Sequence, residues 1–411
     1  MGGRRSAEFS MSREESPHPS HENTIGGGNA MSEVKVSRFL EEFYEEAVNR
    51  FYFHYRVASG PIGIEKIVDE LNKRIPVVGK SSISSIKLEE EKNRGLFCVS
   101  LNGAHNVFFQ SVGKNLWLIF YGSDVQVGVR KSLRKLLDNI RWLVPTWIRP
   151  DEIEGFYGTY SSEFDIVKVY TMFDPYHLFK KLARIPSEFQ DSLRDEWFYR
   201  RSIEVSVSAP KTYVKDVFAE VMKERLTEAI KARFALRFSN PGKSDIIIDE
   251  NAEIVHEGGV LEATDKILDD VKSRTLKNLE TYAKLLPMRE YSLLSDGSYD
   301  LVEYQPPRPI LFRLGPRAKY DIETSLRVMN MFTIGRKNLP VYGVQLSREG
   351  LDFVCKSFLD FDRSSFFLDF FRGEDGWPTI KLEPFYLTSM GLIIIHKLLS
   401  EKIDWNTKLI G

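Results

Sequence analysis

Cysteine is nearly missing from this chain: Cys98 and Cys355 are the two in 411 residues. No Cys-x-x-Cys pair exists, so a zinc ribbon or a disulfide framework has no basis, and each cysteine reads as a small buried hydrophobe. Histidine is scarce as well. His54, His105, His177, His256 and His396 lack the His-x-His or i, i+4 spacing of a zinc enzyme. No Gly-x-Ser-x-Gly or Cys/His arrangement is present for covalent catalysis. Long apolar runs are missing too. The nearest, Met390 to His396, falls far short of the roughly 18 residues that a membrane helix needs. The first 30 residues have no apolar core segment, which argues against a secretory signal. Rich in Ser, Gly, Glu, His and Arg, they cannot bury enough surface to fold, so residues 1–35 are expected to be a disordered tail, with Met31 as a natural start. Net charge is −1, so attraction to a polyanion must come from a local patch. Scarce cysteine with abundant Glu, Lys and Arg suits the cytoplasm, and hints at a heat-loving source.

What is present supports real cores: 42% of residues are apolar and 12% aromatic. At about 150 residues per domain, the length allows two or three domains. The expected fold is a multidomain mixture of α/β and α+β parts. An α+β domain over 36–149 opens with a helix from Val36 to Tyr55 and a second over 61–75. Strands follow at 96–101, 106–110 and 116–121, the first two joined around Asn102-Gly103, a hairpin signal. A helix over 127–144 closes this domain. A second α+β domain, 150–238, is ferredoxin-like in layout: strands at 164–173 and 201–207 precede a helix from Tyr213 to Arg237 with Val217, Val221, Leu226, Ile230 and Phe234 in one stripe. Residues 239–244 (SNPGKS) form a linker. The remainder, 245–411, alternates strands and helices as an α/β domain: strands at 245–249, 253–256, 309–314, 340–346 and 366–371, and helices at 263–286, 322–332, 350–358 and 387–399. No internal repeat is visible.

Chemistry concentrates on three acids. Residues 289–301 (REYSLLSDGSYDL) bring a short strand to Asp296, with a glycine beside it that permits close backbone approach. Ile246-Ile247-Ile248 is a second apolar strand and ends in Asp249. Glu280 lies on the helix before Asp296. Were the two strands neighbours, Asp249 and Asp296 would meet at one sheet edge, and Glu280 could complete a cluster. Such a cluster repels itself without a cation, and Mg²⁺ or Mn²⁺ prefers these hard oxygen ligands. The plainer alternative is that Asp296 caps an Asp-Gly turn and that the other acids are solvated. A second concentration is cationic: Arg130, Lys131, Arg134, Lys135 and Arg141 point outward from a helix whose Leu133, Leu136, Leu137 and Ile140 face a core. Arg149 and the flat rings of Trp142 and Trp147 lie nearby, a set that suits a phosphate backbone with unstacked bases. Its alternative is an ordinary solvated helix face. Asp321-Ile322-Glu323 sits in a helical stripe, and Gly242-Lys243-Ser244 lacks the first glycine of a phosphate-binding loop, so neither carries a site.

Residues 276–301 (LKNLETYAKLLPMREYSLLSDGSYDL) resemble a motif of the NurA-type nucleases, in which a glutamate-bearing helix leads into an apolar strand ending Asp-Gly-Ser. Residues 340–344 (PVYGV) and 376–378 (GWP) resemble later pieces of that pattern. The resemblance implies an RNase H-like domain, Glu280 and Asp296 as catalytic metal ligands with Asp249 in the place of an earlier aspartate, a HerA-like translocase partner, and self-association. Two parts of the pattern are missing: no lysine falls within 345–348, and Phe385 stands near the position of the closing histidine.

Two readings follow. In one, the chain is a divalent-metal-dependent DNA nuclease with Asp249, Glu280 and Asp296 as its catalytic acids. In the other, it is a non-catalytic subunit of a repair or defence complex that binds nucleic acid or an effector protein.

Overall fold

The structure, a computed structural model, describes residues 35–44, 48–78, 81–93, 95–113, 115–160, 163–173, 203–210, 233–240, 243–258, 261–286, 289–293, 299–304, 308–316, 318–333, 341–360, 364–404 and 406–410. After α1 (Val36–Tyr44) the chain forms a first unit: β1 (Arg50–Ala58), α2 (Ile64–Arg74), β2 (Ile86–Asn93), β3 (Leu96–Leu101), β4 (His105–Ser111), β5 (Leu116–Gly122), α3 (Val127–Asp138) and β6 (Leu143–Pro145). Next come α4 (Pro150–Tyr160), β7 (Ile166–Phe173), β8 (Ile203–Pro210), β9 (Arg233–Asn240), β10 (Ser244–Asp249), β11 (Glu253–Gly258) and the long α5 (Glu262–Ala283). The hairpin of β12 (Arg289–Leu293) and β13 (Tyr299–Tyr304) stands as its own two-stranded sheet. A second unit follows: β14 (Ile310–Arg313), α6 (Ile322–Thr333), β15 (Val341–Glu349), β16 (Asp352–Leu359), β17 (Ser365–Arg372), β18 (Pro378–Tyr386), α7 (Ser389–Lys402) and β19 (Lys408–Leu409).

The two units share one topology. Each is a strand, a helix, a four-strand meander whose last strand pairs with the first, a helix, and a short strand on the first strand's other edge. The orders are β2-β3-β4-β5-β1-β6 and β15-β16-β17-β18-β14-β19, with antiparallel pairing throughout. The fold is thus duplicated although no repeat is legible in the residues. In the first unit the edge of β1 left over by β6 is taken by β11, and β10, β9, β7 and β8 extend the sheet to eleven strands. The fold is therefore a mixture of helices and antiparallel sheets.

In each unit the two helices pack on one sheet face. In the first, Ile67 and Leu71 of α2 and Leu133 and Leu136 of α3 cover Val99, Phe109 and Ile119. In the second, Val328 and Phe332 of α6 and Ile395 and Leu399 of α7 cover Cys355, Leu368 and Leu382. The other face of the first unit is also buried, under α1 and α5. Phe39 meets Phe108 edge-on at 4.9 Å and Phe43 does so at 4.8 Å, while the Tyr55 hydroxyl donates to the Leu268 carbonyl at 2.9 Å. Each such buried ring contributes about 2–3 kcal/mol of burial free energy. Among the described residues no helix covers the corresponding face of the second unit.

Several expectations are corrected. The helix expected over 36–55 ends at Tyr44, and Arg50–Ala58 is the strand at the centre of the large sheet. Its residues alternate ring and polar group, a period of two that favours a strand over a helix. The segment 350–358 is β16, not a helix: Gly350, at φ +57°, turns the chain back, and Phe353, Cys355 and Ser357 face the core in alternation. Phe234, expected in a helical stripe, lies in β9, and α3 stops at Asp138, before the short strand β6. The described residues of the expected linker at 239–244 belong to paired strands and their connection, with Ser244 opposite Asn240. One sheet therefore runs on through the boundary expected at residue 245. The first residues of the strand expected over 201–207 and most of the helix expected over 213–237 lie outside the described residues.

Candidate functional site

The acids do not meet through neighbouring strands. β10 belongs to the large sheet and β12 to the separate hairpin, so the edge-to-edge meeting of Asp249 and Asp296 is not formed by strand pairing. Asp296 itself falls in 294–298, outside the described residues, and Glu280 is exposed on α5. Among the described residues no three of His, Cys, Asp and Glu converge as a metal ion would need.

Asp249 instead organises the turn from β10 to β11. Its Oδ1 accepts from the backbone N–H of Asn251 at 2.9 Å and of Glu253 at 3.0 Å, an Asx turn that lets Ala252 adopt φ +53°. Burial, and then the charge of Glu253, push the Asp249 carboxyl up to about 6. Glu253 moves the other way. Its own burial would raise it, but contact with His54 and the charges of His54, Arg134 and Arg56 bring it below the usual carboxylate range. The geometry is a short relay. Arg134 approaches Glu253 Oε1 at 2.8 Å, His54 Nδ1 lies 3.7 Å from the same oxygen, and His54 Nε2 is 3.0 Å from the Tyr121 hydroxyl. Register explains the assembly: His54 of β1 lies opposite Glu253 of β11 on one side and Ile119 of β5 on the other, with Tyr121 two residues further along.

The basic helix joins this relay. The Arg130 guanidinium lies 4.5 Å from the centre of the Tyr52 ring, Arg50 approaches the same ring at 5.4 Å, and Tyr52 stacks on Tyr121 at 5.4 Å. Lys131 and Lys135 are exposed on α3. The other expected cations are held by acids: Arg134 by Glu253, Arg141 by Asp360 at 2.6 Å, and Arg149 by Glu152 at 3.8 Å. Trp147 is buried against His396, with ring centres 5.1 Å apart, and Trp142 is half-buried with Lys66 over its ring. The flat ring beside the cations is therefore Tyr52. The alternation Tyr52-x-His54-x-Arg56 on one strand was the signal for it.

A cavity of about 30 Å³ lies where α5 and α7 meet the first unit, lined by Trp147, Tyr282, Met390 and Lys397 among others. That is room for about one water, not for a substrate. No helix among the described residues is long and apolar enough to cross a membrane. Compared with known proteins, the chain matches no family model and no curated protein.

Proposed function

We propose that this chain is a nucleic-acid-binding subunit of a processing complex, one that holds a strand rather than cutting it. The observation that carries this reading is the pairing of cations and a ring on α3 and β1: Arg130 over Tyr52, with Lys131 and Lys135 exposed on the same helix. Guanidinium and ammonium groups neutralise phosphates, and the Tyr52 ring, itself stacked on Tyr121, holds the Arg130 guanidinium in place among them. The spread of Asp249, Glu280 and the strands flanking Asp296 over separate elements also supports holding over cutting.

A second reading has an observation of its own. A carboxyl brought up to about 6 beside a second carboxylate, an imidazole and a guanidinium is suited to proton transfer near neutral pH. This is the nuclease reading. It keeps Asp249, Glu280 and Asp296 as the acids that would hold Mg²⁺ or Mn²⁺, with the RNase H-like character, the HerA-like translocase and the self-association that the resemblance implies.

One experiment serves both. Fluorescently labelled single-stranded and duplex DNA is titrated with the full chain at several salt concentrations, with and without Mn²⁺, and each mixture is then run on a denaturing gel. Holding predicts intact DNA and affinity that falls as salt rises. The triple variant Arg130→Ala/Lys131→Ala/Lys135→Ala should bind at least tenfold more weakly, with a shallower salt slope. Cleavage that needs Mn²⁺ and disappears in Asp296→Ala and Asp249→Asn would replace holding by cutting. No binding even at low salt would overturn both readings.

A further inference from the structure

The face of the second unit that no helix among the described residues covers holds a line of partly exposed rings. Tyr342 of β15 stacks on Phe358 of β16 with centres 5.7 Å apart, and Phe367 of β17 meets Phe385 of β18 edge-on at 4.8 Å. Lys356 places its ammonium 5.5 Å from the Phe385 ring centre. Phe358 is 49% exposed and Phe385 52%, high values for large rings on a regular sheet. We propose that this face is a stacking platform for an unpaired nucleic-acid strand.

The first unit supplies the comparison that selects the occupant. There the equivalent face is covered by α1 and α5, and it presents Phe53, Leu118, Phe108 and Phe120, all fully buried. A face prepared for a protein helix in this topology is thus continuously apolar. On the second unit the rings alternate with Lys356, Lys381, Asp369 and Glu383, side chains that a helix would have to desolvate. Lys381 is neutralised by Asp369 at 2.8 Å and Glu383 at 2.7 Å, which among the described residues leaves Lys356 as a cation set among the rings. Flat rings at sheet spacing with a cation beside them match the alternation of base and phosphate in an unstacked strand. Four adjacent strands at about 4.8 Å each give a line of roughly 14 Å. Four-stranded sheets with exposed rings stack two or three bases over such a span. A duplex hides its base faces, so the platform selects unpaired strands.

This inference rests on the nucleic-acid-binding reading but uses different residues, so the two can fail separately. The full chain is titrated with labelled single-stranded DNA, single-stranded RNA and duplex DNA of one sequence, and the titrations are repeated with Phe358→Ala/Phe385→Ala and with Lys356→Ala. Both rings are half-exposed, and an unchanged melting temperature verifies that each variant folds. The expected result is a loss of at least tenfold in affinity for one or both unpaired strands in the double variant, with duplex affinity unchanged. A single-stranded probe carrying a photoactivatable base should cross-link to peptides from 342–358 or 367–385 in the parent chain. Equal affinity of the parent and the double variant for the unpaired strands would overturn the platform and leave the α3 reading standing. No binding of any nucleic acid by the parent would overturn both, and a shift in sedimentation between parent and double variant would then mark the face as a protein contact.

Discussion

At the scale of single residues, Asp249 shows how far an acid can be read before its surroundings are known. Its place at the end of an apolar strand is legible in the chain. Its partner is not, because Glu253 comes close only through a tight turn and gains His54 and Arg134 from elements about 200 and 120 positions earlier. Folding raises the proton affinity of Asp249, so its effect on stability has a definite sign. The protonated fold is favoured below the ordinary carboxyl value near pH 4, and that stability is lost as pH rises to about 6. Asp249→Asn keeps an oxygen for both backbone donors and removes the charge. In urea denaturation it should match the parent near pH 4 and exceed it by about 1–2 kcal/mol at pH 8. His256 acts in the opposite direction. Burial lowers its affinity for a second proton, with Thr264 Oγ1 2.8 Å from Nδ1 and the Gly258 carbonyl 3.1 Å from Nε2. Acidification through about pH 6.5, the ordinary histidine value, therefore destabilises the fold at this position.

Elements were legible where one periodicity was unbroken. The strands β3, β4 and β5 and the helices α5, α6 and α7 all fall where the pattern of apolar residues places them. Asn102 and Gly103, at φ 58° and 69°, make the expected hairpin through a connection longer than two residues. The misreading at β1 came because the helical spacing of α1 runs on through Ala47 and Val48 to Phe51, so that a stripe can be drawn past the end of the helix. Close approach between elements was hidden for a different reason, since it depends on what a glycine does not carry. At Gly343 a Cβ would enter the space of the Phe332 carbonyl and lie 2.5 Å from Ser357 Oγ and 2.6 Å from the Lys356 carbonyl. Gly343→Ala must therefore push β15 away from α6 and β16. A loss of about 2–3 kcal/mol is expected, read as a lower urea midpoint. A midpoint equal to the parent's would show that the strand can shift freely.

For the whole molecule, α5 joins the two units. Its Ile267, Leu268 and Val271 lie in the first core, and Tyr282, near its other end, lies in the second. There the Tyr282 hydroxyl donates to His396 Nδ1 at 2.6 Å, and His396 Nε2 donates to the Thr407 carbonyl at 2.9 Å, which fixes the neutral ring in one tautomer. Tyr282→Phe removes the proton that Nδ1 accepts and should cost about 1–3 kcal/mol. Hydrogen exchange should show faster opening of β3–β5 as well as of β16–β18, whereas a change confined to the second unit would show that α5 does not couple them. None of this was readable in advance. A shared topology needs only similar periodicities and turns, which unrelated residues can supply, so the duplication left no trace in the letters. Its consequence concerns tolerance to change. The first unit is enclosed on both faces, so nearly every inward position of its sheet is committed to packing. The second has a face that no helix among the described residues covers. In a saturation library selected only for folding, substitutions at 342, 356, 358, 367 and 385 should persist far more often than those at 53, 108, 118 and 120, so that one face of the second unit is free to diversify while both faces of the first are fixed.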